Sequence, residues 1–413
     1  MSWMPNPRWA SPTIPLTCGY WPVASAAPTC SGSRAALATG QYPHVNGMMG
    51  LAHRGFGIHD MRRHLIHALR PAGYYTVLVG EQHIAARPSD VGFDLLRTVD
   101  TLHHADDVAP AVAELLRDGL PQPFFLSVGF FETHRSFFAP ASPQDANWCA
   151  PPPHLPDTPE TRADMAAFAA SAAELDRGVG LILDSLARAG LDGNTLVICT
   201  TDHGLPFPDA KGTLTDRGTG VMFILRGPGG FRGGKAVDAL VQHLDVFPTV
   251  CELAGVETPA HVQGHSLLPL IRGEARDLRE ELFTEMTYHA AYDPQRAVRT
   301  RRWKYIRRYG DTLHPVLANV DDSPTKDVLL AAGWADSIVP RESLHDLLLD
   351  PNEAVDLAGD ASHAHVLEDL RGRLDRWMEE TDDPLRHGDV PAPPGAEFNT
   401  ADQRSASETP VRV

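Results

Sequence analysis

No run of about 18 apolar residues occurs in this sequence, so no segment reads as a helix able to span a bilayer. Met1 to Thr29 holds a single Arg and several Pro but no continuous apolar stretch, and is read as lacking a secretory signal. The five cysteines (Cys18, Cys30, Cys149, Cys199 and Cys251) are widely spaced and contain no CxxC pair. That argues against a disulfide framework or a zinc knuckle and sets the expectation of a reducing, cytoplasmic compartment. No large basic patch exists either, and the net charge of −17 repels nucleic acid and anionic membranes. The expected partner is a small molecule, with no nucleic acid and no membrane.

What is present suits a layered α/β protein. The chain has 413 residues, 43% of them hydrophobic, enough for a sizeable core and two or three domains. His64 to Pro71 reads as a helix stopped by Gly73, and Tyr74 to Val79 as a buried strand. Pro123 to Phe131, Thr195 to Thr200 and Val221 to Leu225 read as further strands. Leu175, Val179, Ile182 and Leu186 form one helical stripe within Ala163 to Ala189. Three strands end on polar residues: Glu81-Gln82-His83, Glu132-Thr133-His134 and Thr201-Asp202-His203. In an open α/β sheet, ligands gather at the carboxyl ends of strands, so these three ends point to one site. After about residue 280 the pattern changes. Ala297 to Arg307 reads as an exposed strand of a small antiparallel unit, with the basic run Arg299 to Lys304 as its solvated face. Val366 to Glu380 reads as an amphipathic helix, and the Pro-, Ala- and Ser-rich end as a disordered or loosely docked tail.

The sharpest feature is Ala27-Pro28-Thr29-Cys30-Ser31-Gly32-Ser33-Arg34, followed by Ala35 to Gly40 and Gln41-Tyr42-Pro43. A nucleophile at a helix N-terminus lies among free N–H groups, which suits an anion. Arg34 lies one turn further on the same face. This stretch resembles the signature of the sulfatase family, Cys-x-Pro-x-Arg followed by a short helix ending in Thr-Gly. The resemblance extends over residues 27–383 and is most like the N-sulfoglucosamine sulfohydrolase branch. It implies a three-layer α/β/α sandwich of the alkaline-phosphatase-like type over residues 27–280. A smaller C-terminal α+β subdomain would follow over 281–385 and a tail over 386–413.

The same resemblance implies that Cys30 is oxidised to formylglycine by a formylglycine-generating enzyme. The hydrate of that aldehyde attacks the sulfur of a small sulfated substrate, a sulfate ester or sulfamate of a sugar. His83, in Gly80-Glu81-Gln82-His83, would bind nucleophile or sulfate. His134 would bind sulfate and act as leaving-group acid, a role for which a pKa near 6.5 is suited. Lys211, after Pro206-Phe207-Pro208, would bridge nucleophile and sulfate. Asp202 and His203 would hold a divalent metal, Ca²⁺ or else Mg²⁺. His289 would reach the sugar, and Asp245 would be structural.

Three departures stand out. Gly32 replaces the family Pro, and Glu81 replaces a Lys, placing a carboxylate that repels sulfate unless it pairs with a cation. The family's opening strand ends in an Asp-Asp pair of metal ligands, whereas this chain has no Asp or Glu before Asp60. Residues 1–26 show no strand or helix period and read as not native-like. A misplaced start or frame error, a truncation, and a protein that no longer catalyses all remain open, the first being favoured. With Asp202 and His203 alone, metal binding is expected to be poor, since Ca²⁺ takes about six to eight oxygens. A non-catalytic sulfatase-fold protein and a phosphoester hydrolase of the same superfamily stand as alternatives; Cys30 with Arg34 tells against the second.

Overall fold

In the computed structural model, residues 23–99 and 102–413 are described. The β-branched run of strand Tyr75–Gly80 is buried on both faces, as a central parallel strand requires. It lies between Leu95–Arg97 and Phe124–Gly129, parallel to both. Val108, Ala111, Val112 and Leu116 of helix Ala105–Asp118 pack on this sheet. Leu183 and Leu186 of the long helix Pro159–Arg188 join the same core. That helix begins where Thr158 caps the Thr161 N–H and Pro159 takes the first turn, a position needing no donor.

Strand Val197–Thr200 pairs antiparallel with Phe223–Arg226, and Val23–Ala24 pairs parallel with Val241–Gln242. Helix Cys30–Thr39 is sealed by Gly40, whose positive φ of 66° gives a left-handed cap. His243 ties the two parts together. Its Nδ1 lies 3.2 Å from Ser33 Oγ on the helix, and its Nε2 lies 2.9 Å from Thr200 Oγ1 at the strand end.

The C-terminal unit is a four-stranded antiparallel sheet in the order Glu342–Asp346, Trp303–Arg308, Tyr292–Thr300, Glu281–Tyr288. Helix Ala364–Glu380 covers it, burying Leu367, Leu370, Leu374, Trp377 and Met378 against Val298, Tyr305 and Leu344. The expected single exposed strand over 297–307 is therefore two strands, and buried ones. Arg299 and Lys304 are not on a solvated face. Both turn inward to Asp216, each at 2.8 Å, because a carboxylate waits there.

Two further expectations are corrected. Residues 386–413 are docked. Ala392 and Ala396 pack with Met48, Phe56 and Tyr288, and the Asn399 side chain accepts from Arg54 at 2.6 Å while donating to Gln403 and two carbonyls. Small apolar residues and one well-connected amide do what a long apolar stretch does elsewhere. Within the N-terminal segment read as not native-like, Ala24 and Ala26 are buried and Ser25 N–H donates to the Thr219 carbonyl at 2.8 Å. Residues 1–22 lie outside the described residues.

Two seams of buried charge join the antiparallel sheet to the rest. In one, both the N–H and Nδ1 of His44 lie 2.8 Å from Glu285, while Arg296 spans Glu285 at 3.2 Å and Asp383 at 2.5 Å. In the other, Asp216 takes Arg299 and Lys304 on its carboxylate, and its N–H donates to Glu353 Oε2 at 2.7 Å. Removing one member of a buried pair leaves the other charged and unsolvated. Arg296→Ala is expected to cost about 3–5 kcal/mol in a urea unfolding experiment. A loss near zero would show that the seam does not bear on stability.

Burial pushes the Glu353 carboxyl up to about 7, more than nearby Lys304 lowers it. A raised acid contributes stability that is full below its unfolded pKa and is lost as pH rises through the folded one. Glu353→Gln is expected to flatten the fall in Tm between about pH 5 and pH 8. An unchanged pH slope would overturn the assignment.

Candidate active site

Cys30 is the first residue of helix Cys30–Thr39, where the backbone N–H groups have no partner inside the helix. Its Sγ lies 3.4 Å from His203 Nε2. His203 Nδ1 lies 2.9 Å from the Gly204 carbonyl, which only an N–H satisfies, so Nε2 is the nitrogen presented to Cys30. One turn along the helix, Arg34 Nε donates to Asp202 Oδ2 at 2.8 Å. Lys211 Nζ, buried, donates to Asp321 Oδ2 at 2.9 Å. Buried His289 is fixed by Nδ1 to the Asn319 carbonyl at 3.0 Å, two residues before Asp321 in the chain.

The electrostatics follow from this crowding. Burial pushes the Cys30 thiol up, but Lys211 and His203 reverse it and hold the group well below its usual value. Burial also raises Asp202, and Arg34 and His203 overcome it, leaving the carboxyl far below its usual range. His203 is lowered by burial and raised further by Asp202 and Cys30, with a net upward shift. Lys211 is likewise lowered by burial, then pushed up to about 12 by Asp321 and Cys30. Burial, then Lys211, brings His289 down to about 4. One neutral imidazole and several fixed cations thus surround one sulfur.

The sequence singles out eight site residues, and six gather here: Cys30, Arg34, Asp202, His203, Lys211 and His289. His134 is exposed at the mouth, its Nδ1 2.6 Å from the Arg135 carbonyl. Its loop is rigidly held, because Arg135 makes bonds of 2.7 and 2.9 Å to Asp164 and stacks 4.2 Å over Phe137. His83 sits further out and reaches the cluster through His53, 2.8 Å between ring nitrogens. Glu81 has the cationic partners its presence demanded. Its Oε2 lies 2.9 Å from His103 Nδ1, and although burial raises the group, His103 and Arg34 hold it below its usual value.

Asp321, His53 and His103 were missed by sequence reasoning. His53 and His103 lie on connecting segments without periodicity, and Asp321 precedes a helix cap at Ser323. Nothing local marks them. Only the fold brings them near Lys211, His83 and Glu81.

Among the described residues, Cys30, Asp202 and His203 offer ligand atoms within 4.8 Å of one another. One carboxylate and one imidazole fall far short of the oxygen shell of Ca²⁺ or Mg²⁺. Arg34 also already occupies the Asp202 carboxylate. The donor set does not fit either ion. A second cluster, His44, Glu285 and Asp383, has the Arg296 guanidinium between its carboxylates.

Comparison with known proteins accounts for this arrangement. The sulfatase family profile matches residues 20–256, and the profile for the C-terminal part of N-sulphoglucosamine sulphohydrolase matches residues 210–328. N-sulphoglucosamine sulphohydrolase of Homo sapiens is 30% identical over 417 residues, covering 86% of this chain and 82% of that protein. An ulvan-active sulfatase of Formosa agariphila is 27% identical over 412 residues, covering 84% and 67%. A structure from work on glycosaminoglycan metabolism by Bacteroides thetaiotaomicron superposes with a TM-score of 0.69 at 21% identity, covering 90% and 89%. Another, in complex with its substrate D-glucosamine-2-N,6-O-disulfate, gives 0.68 at 17% identity, covering 87% and 91%. The family generally works through formylglycine and a divalent metal. Matched over more than half its length by the family profile, the chain belongs to the sulfatase family, the hydrolases of sulfate esters and sulfamates.

Proposed function

We propose that the chain hydrolyses a sulfated sugar, with N-sulfated glucosamine as the favoured class, at the N-terminus of helix Cys30–Thr39. The observation that carries this reading is the convergence of Lys211, His203 and Arg34 on Cys30 at a helix end. Two relatives agree with it, one named for N-sulphoglucosamine and one bound to an N,6-O-disulfate. Oxidised to formylglycine by a partner enzyme, Cys30 would supply a hydrated aldehyde oxygen as nucleophile toward sulfur.

The remaining work falls to the chain's own residues. Free N–H groups of the helix and the Lys211 ammonium hold the sulfate oxygens where charge builds. His203, oriented by the Gly204 carbonyl and favoured in its charged form by Asp202, adds a donor on the side of Asp202. Arg34, anchored by Asp202, faces the same anion from one turn away. At the mouth, His134 delivers a proton to the atom that leaves sulfur. Neutral His289 is a donor or acceptor for the sugar. No step is routed through the Ca²⁺ the sequence suggested, because its donor set does not fit.

A second reading, a non-catalytic sulfatase-fold protein, draws on one observation: Arg34 lies on the carboxylate that a metal would need. The two readings separate at Cys30. Mass spectrometry of the Cys30 peptide, from cells containing a formylglycine-generating enzyme, is expected to show the lighter aldehyde form. Cys30→Ala is expected to abolish turnover without lowering Tm. Unmodified cysteine throughout, or turnover that survives the substitution, would sink the proposal. Calorimetric titration is expected to find Ca²⁺ binding no tighter than about 10⁻⁴ M, since a sparse, weakly charged site sits at the low end of the affinity range. A submicromolar site would require donors beyond those described.

A further inference from the structure

Asp321 is a carboxylate placed where an enzyme for anions has an electrostatic reason to avoid one. Its Oδ2 accepts from Lys211 at 2.9 Å, while Oδ1 makes no hydrogen bond with any described residue. The side chain is 22% exposed, and that second oxygen has no partner among the described residues. The titratable groups that face Asp321 are the Lys211 ammonium, neutral His289 and His134, and Lys211 in turn faces Cys30. With His134 as the leaving-group acid of the reading above, Asp321 lies on the leaving-group side of the site. Its backbone is pinned on both flanks. Asn319 takes the Ala291 N–H at 2.7 Å and the His289 ring at 3.0 Å, and Ser323 caps helix Pro324–Ala331.

A carboxylate that neutralises Lys211 weakens the pull on sulfate, unless the substrate brings a donor to it. The two substrate types differ there. A sulfamate, R–NH–SO₃⁻, carries an N–H on the atom bonded to sulfur; an ester, R–O–SO₃⁻, carries none. Hydrolysis of the first is R–NH–SO₃⁻ + H₂O → R–NH₃⁺ + SO₄²⁻. The S–N bond breaks, the nitrogen gains two protons, and positive charge appears on the leaving group. An ester releases a neutral hydroxyl at the same place. A fixed carboxylate beside the leaving atom stabilises the first change and not the second.

We infer that Asp321 is a specificity-determining residue whose Oδ1 accepts the N–H of a sulfamate and then faces the departing ammonium, so that the site prefers N-sulfate over O-sulfate. The inference rests on the hydrolase reading above and names the bond that the site selects. A site built to bond an N–H discriminates strongly against a substrate that lacks one, because its own acceptor then stays unpaired.

The test uses the full formylglycine-bearing chain with glucosamine N-sulfate and glucosamine 6-O-sulfate. In Asp321→Asn the amide oxygen turns to Lys211, and the NH₂ takes the place of the free acceptor. Its kcat/KM on the N-sulfate is expected to fall by about 10- to 100-fold, the range of a charge-assisted hydrogen bond, and that on the O-sulfate by less than about threefold. Equal losses on both would mean that Asp321 only positions Lys211, and no loss would mean that it does nothing; either result overturns the inference. Binding of the same sugars to Cys30→Ala, with and without Asp321→Asn, gives a readout without turnover. An N-sulfate preference that disappears with Asp321 supports the inference; equal affinities, or no binding of either sugar, overturn it. A binding preference with no turnover in the unaltered chain sinks the hydrolase reading alone. Turnover whose N-to-O ratio ignores Asp321 sinks this inference alone.

Discussion

The geometry around Cys30 depends on charge buried between two units that the chain builds separately. The helix carrying Cys30 contributes few large side chains: its buried residues are Cys, Ser, Gly, Ala and Thr. Such a helix gains little from apolar burial, so its position is set by the residues just beyond its end. One of these, His44, bonds to Glu285, and Glu285 shares Arg296 with Asp383. Asp216, on a short helix downstream of Lys211, is gripped by Arg299 and Lys304 from the same sheet. Buried pairs of this kind add little net stability over apolar packing, yet tolerate almost no displacement. Register, more than strength, is their contribution.

Inside the site the same economy of charge recurs. Each cation near Cys30 has a carboxylate behind it: Asp202 for Arg34 and Asp321 for Lys211. His203 also has Asp202 nearby, at 3.7 Å. These carboxylates keep their partners protonated and fixed at the cost of a weaker net field. In a protein with a net charge of −17, that leaves anion capture to short-range geometry, not to steering over distance.

Much of this was legible before any fold was known, and the reason differs by element. Strand Tyr75–Gly80 and helix Pro159–Arg188 announce themselves because apolar periodicity is local. Cys30, Arg34, Asp202, His203 and Lys211 stand in motifs that resemble those of the sulfatase family, which carried their roles over residue by residue. The buried face of residues 297–304 could not be seen, since Arg299 and Lys304 look solvated until Asp216, far earlier in the chain, is placed against them. Nor could Asp321, whose meaning comes wholly from Lys211. The docking of residues 386–413 was misread because composition predicts how much apolar area a segment carries, and this one is held largely by the hydrogen bonds of Asn399 and Arg54.

That docking has a consequence for biosynthesis. Ala392 and Ala396 complete the apolar cluster that also holds Ala35 and Ala38 of the Cys30 helix. They leave the ribosome long after the strands and helices they cover. Until then the cluster that includes Ala35 and Ala38 lacks two of its buried members. Closure of that cluster waits on the synthesis of a segment far downstream of Cys30, so it comes late in translation.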